Sequence, residues 1–170
     1  MDTKDARQVR LELWAEGDFG LLRRINSPEM TEHLGGPETE EQLVARHRRY
    51  LALEAGRMYR ITSADSGETV GSIGFWERPW RDTTVWETGW AVLPEFQGRG
   101  LAAGAARAVV EAARATGVHR YLHAFPGVDH PASNAVCRKA GFELLGQVDF
   151  EYPKGHWSSS NDWRIDLARP

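Results

Sequence analysis

The 170-residue chain contains a single cysteine, Cys137. One thiol excludes an intrachain disulfide framework and rules against a thiolate zinc site. No apolar run approaches the roughly 20 residues needed to cross a bilayer. The opening segment MDTKDARQVRLELWAEG lacks the apolar core of a signal peptide. The expected setting is the cytoplasm, with no membrane partner. Charge of one sign is also missing, because 21 basic and 24 acidic residues leave a formal charge of −3. No global field therefore draws the chain to nucleic acid, and the basic run RHRR at residues 46 to 49 is confined to one segment beside acids. Any polyanion must be gripped locally. No GxxxxGK followed by Ser or Thr occurs, so a nucleoside-triphosphatase loop is not written here. His119 and His123 lie four apart in a segment of strand formers, where four residues rise about 13 Å. No metal site is expected.

What is present is an ordinary globular composition, 41% hydrophobic and 26% charged. At this length it suits one domain spanning residues 1–170 with one main core. QVRLELW alternates polar and apolar residues and reads as a strand. DFGLLRRINS suggests a short helix, and residues 38–56 carry Leu43, Val44, His47, Tyr50 and Leu51 at helical spacing. RMYRITSAD and ETVGSIGFWERPW, separated by DSGE, should pair as a hairpin, and TTVWETGWAVL is a further strand. The Ala-rich segment from Gly100 to Gly117 is the strongest helix. The strand HRYLHAF, the helix PASNAVCRKAG and the strands FELLGQVDFEYP and NDWRIDLA follow, with WSSS read as a loop. This order implies an α+β fold, with helices on the faces of a mixed, mostly antiparallel sheet of six or seven strands and about four helices.

The glycine turn PEFQGRGLA, between a strand and the strong helix, carries the most chemistry. First-turn amides of a helix lack internal partners and favour negative charge. With Gly98 and Gly100 clearing side chains away, the turn reads either as a phosphate cradle assisted by Arg99 or as a tight turn with a solvent-facing arginine. The third glycine of a dinucleotide fingerprint is absent.

VLPEFQGRGLA, residues 92 to 102, resembles the acyl-CoA signature of the GNAT family of N-acetyltransferases, with Gln97, Gly100 and Ala102 on its defining positions. HPASNAVCRKAGF resembles the family's second segment through Ser133, Lys139, Gly141 and Phe142, although His130 stands where asparagine is usual. The early loop NSPEMTEHLGGPET resembles the branch that includes ribosomal-protein N-terminal acetyltransferases. The resemblance covers essentially the entire chain. It implies a sheet whose fourth and fifth strands splay apart, with acetyl-CoA as acyl-donor cosubstrate in the opening. The backbone around Val92 would pair with the pantetheine arm, amides from Gly98, Arg99, Gly100, Leu101 and Ala102 would take the diphosphate, and Gln97 would close the turn. His130, Ser133 and Asn134 would lie beside the cofactor, although Ser133 also reads as an N-cap or first-turn hydroxyl and Asn134 as a helix cap.

The implied activity is acetyl transfer to a primary amine of a small molecule or a peptide, by direct attack in a ternary complex. A domain that binds acyl-CoA without transferring it is the alternative, and monomer or homodimer are the expected states. A thioester is attacked only by an uncharged amine, so a proton acceptor is required. Glu87, on the strand leading to the opening, matches a glutamate the family often uses. Its other readings are an acceptor-binding charge or a solvent-facing carboxylate. Where many relatives carry a proton-donating tyrosine this chain has Cys137, whose simpler reading is burial as a small apolar residue. Trp86 and Trp90 share one face of the strand opposite Glu87 unless a bulge resets the alternation. Trp76, Pro79 and Trp80 read as a loop that walls the acceptor pocket or covers the sheet end.

Overall fold

The computed structural model describes residues 8–170. The strands are β1 (Val9–Leu13), β2 (Gly56–Ser63), β3 (Thr69–Trp80), β4 (Thr83–Val92), β5 (Tyr121–Ala124), β6 (Glu143–Glu151) and β7 (Trp157–Asp166). The helices are α1 (Phe19–Ile25), the single turn α2 (Pro28–Thr31), α3 (Glu40–Leu51), α4 (Leu101–Thr116) and α5 (Pro131–Lys139). One seven-stranded sheet has the order β1-β2-β3-β4-β5-β7-β6. Every neighbouring pair is antiparallel except β4 and β5.

The parallel pair is short. Trp86 pairs with Leu122 and Glu87 with His123, and no further residues pair. β4 continues to Val92 without a β5 neighbour, so the sheet forks after Glu87. This is the splay the family resemblance implies.

α4 covers the face that carries Phe75, Trp86, Leu122 and Trp163, inserting Leu101, Ala105, Val109 and Ala113. Small side chains at these positions let the helix lie close to the sheet, while Gly100 (φ 76°) and Gly117 (φ 64°) bound it in left-handed conformations open to glycine. On the opposite face Trp14, Leu21, Leu22, Leu43 and Met58 form a second cluster beneath α1 and α3. α3 starts at a capping box between Thr39 and Gln42.

Three expectations are corrected. WSSS is strand, because β7 begins at Trp157 and its serines pair with Val148, Asp149 and Phe150 of β6. Trp76, Pro79 and Trp80 belong to β3, which runs to a two-residue turn at Arg81 and Asp82. Pro79 is tolerated there and is exposed. Finally, His119 precedes β5, so it does not share a strand with His123.

Candidate active site

The register of β3 and β4 runs without a shift from Gly71–Val92 to Trp80–Thr83, so no bulge disturbs the alternation along β4. Trp86 and Trp90 consequently turn toward α4, where both pack on the main core. Glu87 turns to the other face. Backbone groups alternate too: Leu93 N–H donates to Val70 O at 2.8 Å, which directs the odd-numbered backbone groups of β4 to β3 and those of Trp90 and Val92 into the fork. Gln97 reaches back from the glycine turn, donating Nε2–H to Val92 O at 2.9 Å. Its side chain thus ties the end of β4 to the turn.

Beyond Gln97, whose N–H donates to Pro94 O, the next amide with a backbone acceptor is Gly104, donating to Gly100 O at 3.1 Å. Among the described residues, the amides from 98 to 103 have none. Gly98 (φ 78°) and Gly100 (φ 76°) hold the turn open, and a Cβ on either would enter free space. No acid occupies the first turn of α4. A run of unpaired donors at the positive end of a 16-residue helix, with no side chain intruding, fits a diphosphate. Arg99 is exposed, donates to Glu95 O at 3.2 Å and lies over the Phe96 ring at 5.7 Å. It stands at the rim of the turn.

In the second segment a histidine, and not the serine, caps the helix. His130 is the N-cap of α5: its Nδ1 accepts from Ser133 N–H at 3.4 Å and its Nε2 lies 3.2 Å from Ser133 Oγ. Ser133 is therefore a first-turn residue and not the cap. Burial, and then the neighbouring His33, hold the His130 imidazole below its ordinary range. His33 stacks on it at 4.2 Å, so the early loop closes onto the start of α5.

Asn134 is buried and fully engaged inside the chain. Its Nδ2 donates to Gly127 O (2.9 Å) and His130 O (2.8 Å), and its Oδ1 accepts from Asn161 Nδ2 and Trp163 Nε1, both at 2.8 Å. With two donors and two acceptor positions all used, it holds the β5–α5 loop onto β7. Cys137 lies in the core with 0% exposure, and burial pushes its thiol up to about 12. An inert, enclosed thiol matches the apolar reading.

Glu87 stands at the fork. It is buried, and Arg78 NH1 donates to its Oε1 at 3.0 Å. Burial raises the carboxyl above its usual range, an effect moderated first by Arg78 and then by Trp76 and His123. The Trp76 ring covers Gly89, where a Cβ would come within 3.1 Å of it. Trp80, Phe125 and Phe150 gather beside Arg78, the guanidinium lying 4.2 Å from the Phe150 ring centre. Across the fork His123 Nδ1 lies 2.6 Å from Asp162 Oδ1, with side chains 5% and 2% exposed. Arg78, His123, Asp162 and His33 were not legible as site residues from motif spacing. Arg78 could have been found from the β3–β4 hairpin register, which places it opposite Val85 and one same-face step from Glu87.

A family model described as an acetyltransferase (GNAT) domain matches residues 8–143. Among solved structures, a GNAT-family acetyltransferase from Bacillus anthracis is 17% identical with a TM-score of 0.78, covering 95% of this chain and 96% of that one. Spermidine N-acetyltransferase from Vibrio cholerae, in complex with CoA and spermine, is 16% identical with a TM-score of 0.77, covering 95% and 97%. An acetyltransferase from Salmonella typhimurium that modifies the N-terminal serine of a 50S ribosomal subunit protein is 20% identical with a TM-score of 0.75, covering 94% and 95%. No curated protein matches significantly. The forked sheet and the open glycine turn agree with the family match over most of the described residues, and the chain belongs to the GNAT family of acetyltransferases.

Proposed function

We propose that this protein transfers an acetyl group from acetyl-CoA to a primary amine by direct attack, with both substrates bound together. The observation that carries the reading is the combination, at one sheet fork, of unpaired amides at 98 to 103 with a buried carboxylate at Glu87. Acetyl-CoA supplies the acyl group as an activated thioester. The amides of Gly98 through Ala102 bind its diphosphate, and the backbone edges of Trp90 and Val92 pair with the amide-bearing arm as a further strand would. An N–H of that edge also serves as the donor toward the thioester oxygen as charge develops there. His130 and Ser133 border the same opening.

On the other face Glu87 accepts the proton of the attacking amine. An alkyl amine has a pKa near 10 and is mostly charged at neutrality, so a carboxyl raised by burial is the better-matched acceptor. Arg78 limits that rise and keeps the group available as a carboxylate. The acceptor is a small-molecule amine or a peptide amine, entering past Trp76, Trp80 and the early loop at His33. The protein works in the cytoplasm as a monomer or homodimer, without nucleic acid, membrane or metal.

Calorimetric titration with CoA and with NAD tests the cofactor half; micromolar CoA affinity and no measurable NAD binding are expected. CoA affinity no better than that for NAD would overturn it. Release of free CoA from acetyl-CoA across a panel of polyamines, aminoglycosides and peptides of varied N-terminus tests the transfer half and identifies the acceptor.

A further inference from the structure

The transfer reaction above gives Glu87 a proton but no place to send it. Arg78, 3.0 Å away, favours Glu87 as a carboxylate, so a protonated Glu87 leaves a guanidinium in an aromatic setting without its partner. Directly across the fork, in the last register pair of β4 and β5, stands His123. Register partners of adjacent strands put their side chains on the same face about 5 Å apart. His123 is buried and bound at Nδ1 to the equally buried Asp162 on β7.

A carboxylate only accepts, so Asp162 fixes the proton of neutral His123 on Nδ1 and leaves Nε2 with its lone pair. This is the arrangement by which a buried carboxylate turns an imidazole into a directed base. The charged groups around it are few. β4 contributes Glu87, β3 contributes Arg78, and β7 contributes Asp162 and Arg164, the register partner of His123. The Arg164 guanidinium lies over the Tyr121 ring at 4.3 Å. On that face β6 contributes Glu143, the register partner of Arg164, and the uncharged Gly146, Val148 and Phe150.

We propose that His123, oriented by Asp162, is the proton relay that restores Glu87 during acetyl transfer. Resting on the reaction proposed above, the path balances as follows. The amine nitrogen forms its bond to the acetyl carbon as the carbon–sulfur bond breaks, the sulfur leaving with that electron pair. The amine N–H breaks in favour of an O–H on Glu87. That proton then moves, directly or through one water, to His123 Nε2, and the imidazolium is held between the Asp162 and Glu87 carboxylates until water entering the fork after product release takes the proton from Nε2. His123 acts through Glu87 and is a positioning and relay residue.

The relay is tested on the full chain, with selectively ¹⁵N-labelled histidine and acetyl-CoA turnover followed from pH 5.5 to 9.5 with spermine and a serine-N-terminal peptide as acceptor probes. The His123 signals, identified by their loss in His123→Gln, should show neutral imidazole protonated at Nδ1. Asp162→Asn keeps an acceptor at Nδ1 but removes its charge; it and His123→Gln should each lower turnover about tenfold or more while CoA affinity is kept. An Nε2-protonated neutral ring, or wild-type turnover in a folded His123→Gln, overturns the relay, and the first readout needs neither a known acceptor nor a folded Asp162 variant. Failure of the function itself is read separately, as absent CoA binding in the wild type.

Discussion

Replacing Asn134 with alanine separates a scaffold residue from a cofactor contact. Its side chain makes four hydrogen bonds at 2.8–2.9 Å, to two loop carbonyls, to Asn161 and to Trp163. Each intramolecular bond contributes about 1 kcal/mol net. Gly127, His130 and Asn161 are only partly buried and recover water when the amide is removed. Trp163 is 4% exposed, so its indole N–H is left without a partner at a further cost of about 1–3 kcal/mol. The four bonds and the orphaned indole together give an expected loss of about 5–7 kcal/mol, measured as a lowered urea midpoint at unchanged slope. In a Trp163→Phe background neither the indole bond nor the orphaned donor exists, and the same substitution should cost about 2–4 kcal/mol less. A loss under about 1 kcal/mol with a large drop in CoA affinity would refute this account and return Asn134 to the cofactor.

Glu87→Gln should keep CoA affinity while lowering turnover roughly 10²-fold, the common scale of general-base assistance; unchanged turnover with an unchanged acidic limb rules out the base role. Because the folded-state carboxyl lies above its ordinary value, Glu87 favours the fold at pH below the unfolded pKa and loses that contribution as pH rises through the folded one, so the melting temperature of Glu87→Gln relative to wild type should climb from pH 4 toward pH 8. A difference constant with pH contradicts the shift. Gly100→Ala meets no atom within 4 Å, and its cost is the left-handed φ of 76°, about 1–2 kcal/mol; it should stay folded yet lose CoA affinity at least tenfold, read by calorimetry. Gly71→Ala instead drives a Cβ to 2.0 Å from Ala91 O and should remove most soluble protein, on the order of 3 kcal/mol or more. The β3–β4 turn holds Arg81 at φ 47° and Asp82 at φ 65°, so Asn-Gly at these positions should stabilise the protein by about 1 kcal/mol in denaturant titration, since both residues accept positive φ.

What the sequence made legible were features written in consecutive residues. The helix from Leu101 to Thr116 declares itself by alanine content and bounding glycines, and the turn before it by Gly98 and Gly100. Glu87 was singled out because it precedes that turn on one strand and matches a glutamate the family often uses. The rest of the candidate site is non-local. Asp162 lies 39 residues from His123 and became its neighbour only because β7 inserts between β5 and β6. The serines of β7 concealed its start, since WSSS has little strand propensity and is ordered by pairing to β6. Asn134 looked like a capping or cofactor amide because its motif position shows nothing of Trp163 and Asn161, which meet it from β7.

The unshifted β4 register would let one strand serve both substrates of the proposed reaction. Even-numbered residues direct their side chains to α4 and, past the fork, leave the backbone of Trp90 and Val92 without a strand partner. Odd-numbered residues do the reverse: their backbones lie in the β3 ladder, and their side chains face away from α4. Glu87 is therefore held by an intact ladder at the point where the next residues lose their β5 neighbour. An inserted residue between Glu87 and Val92 would exchange these parities, turning Trp90 away from α4. The same alternation places Glu87 and His123 on one face at the last pair before the strands part, so the proposed base and the proposed relay share a single structural cause.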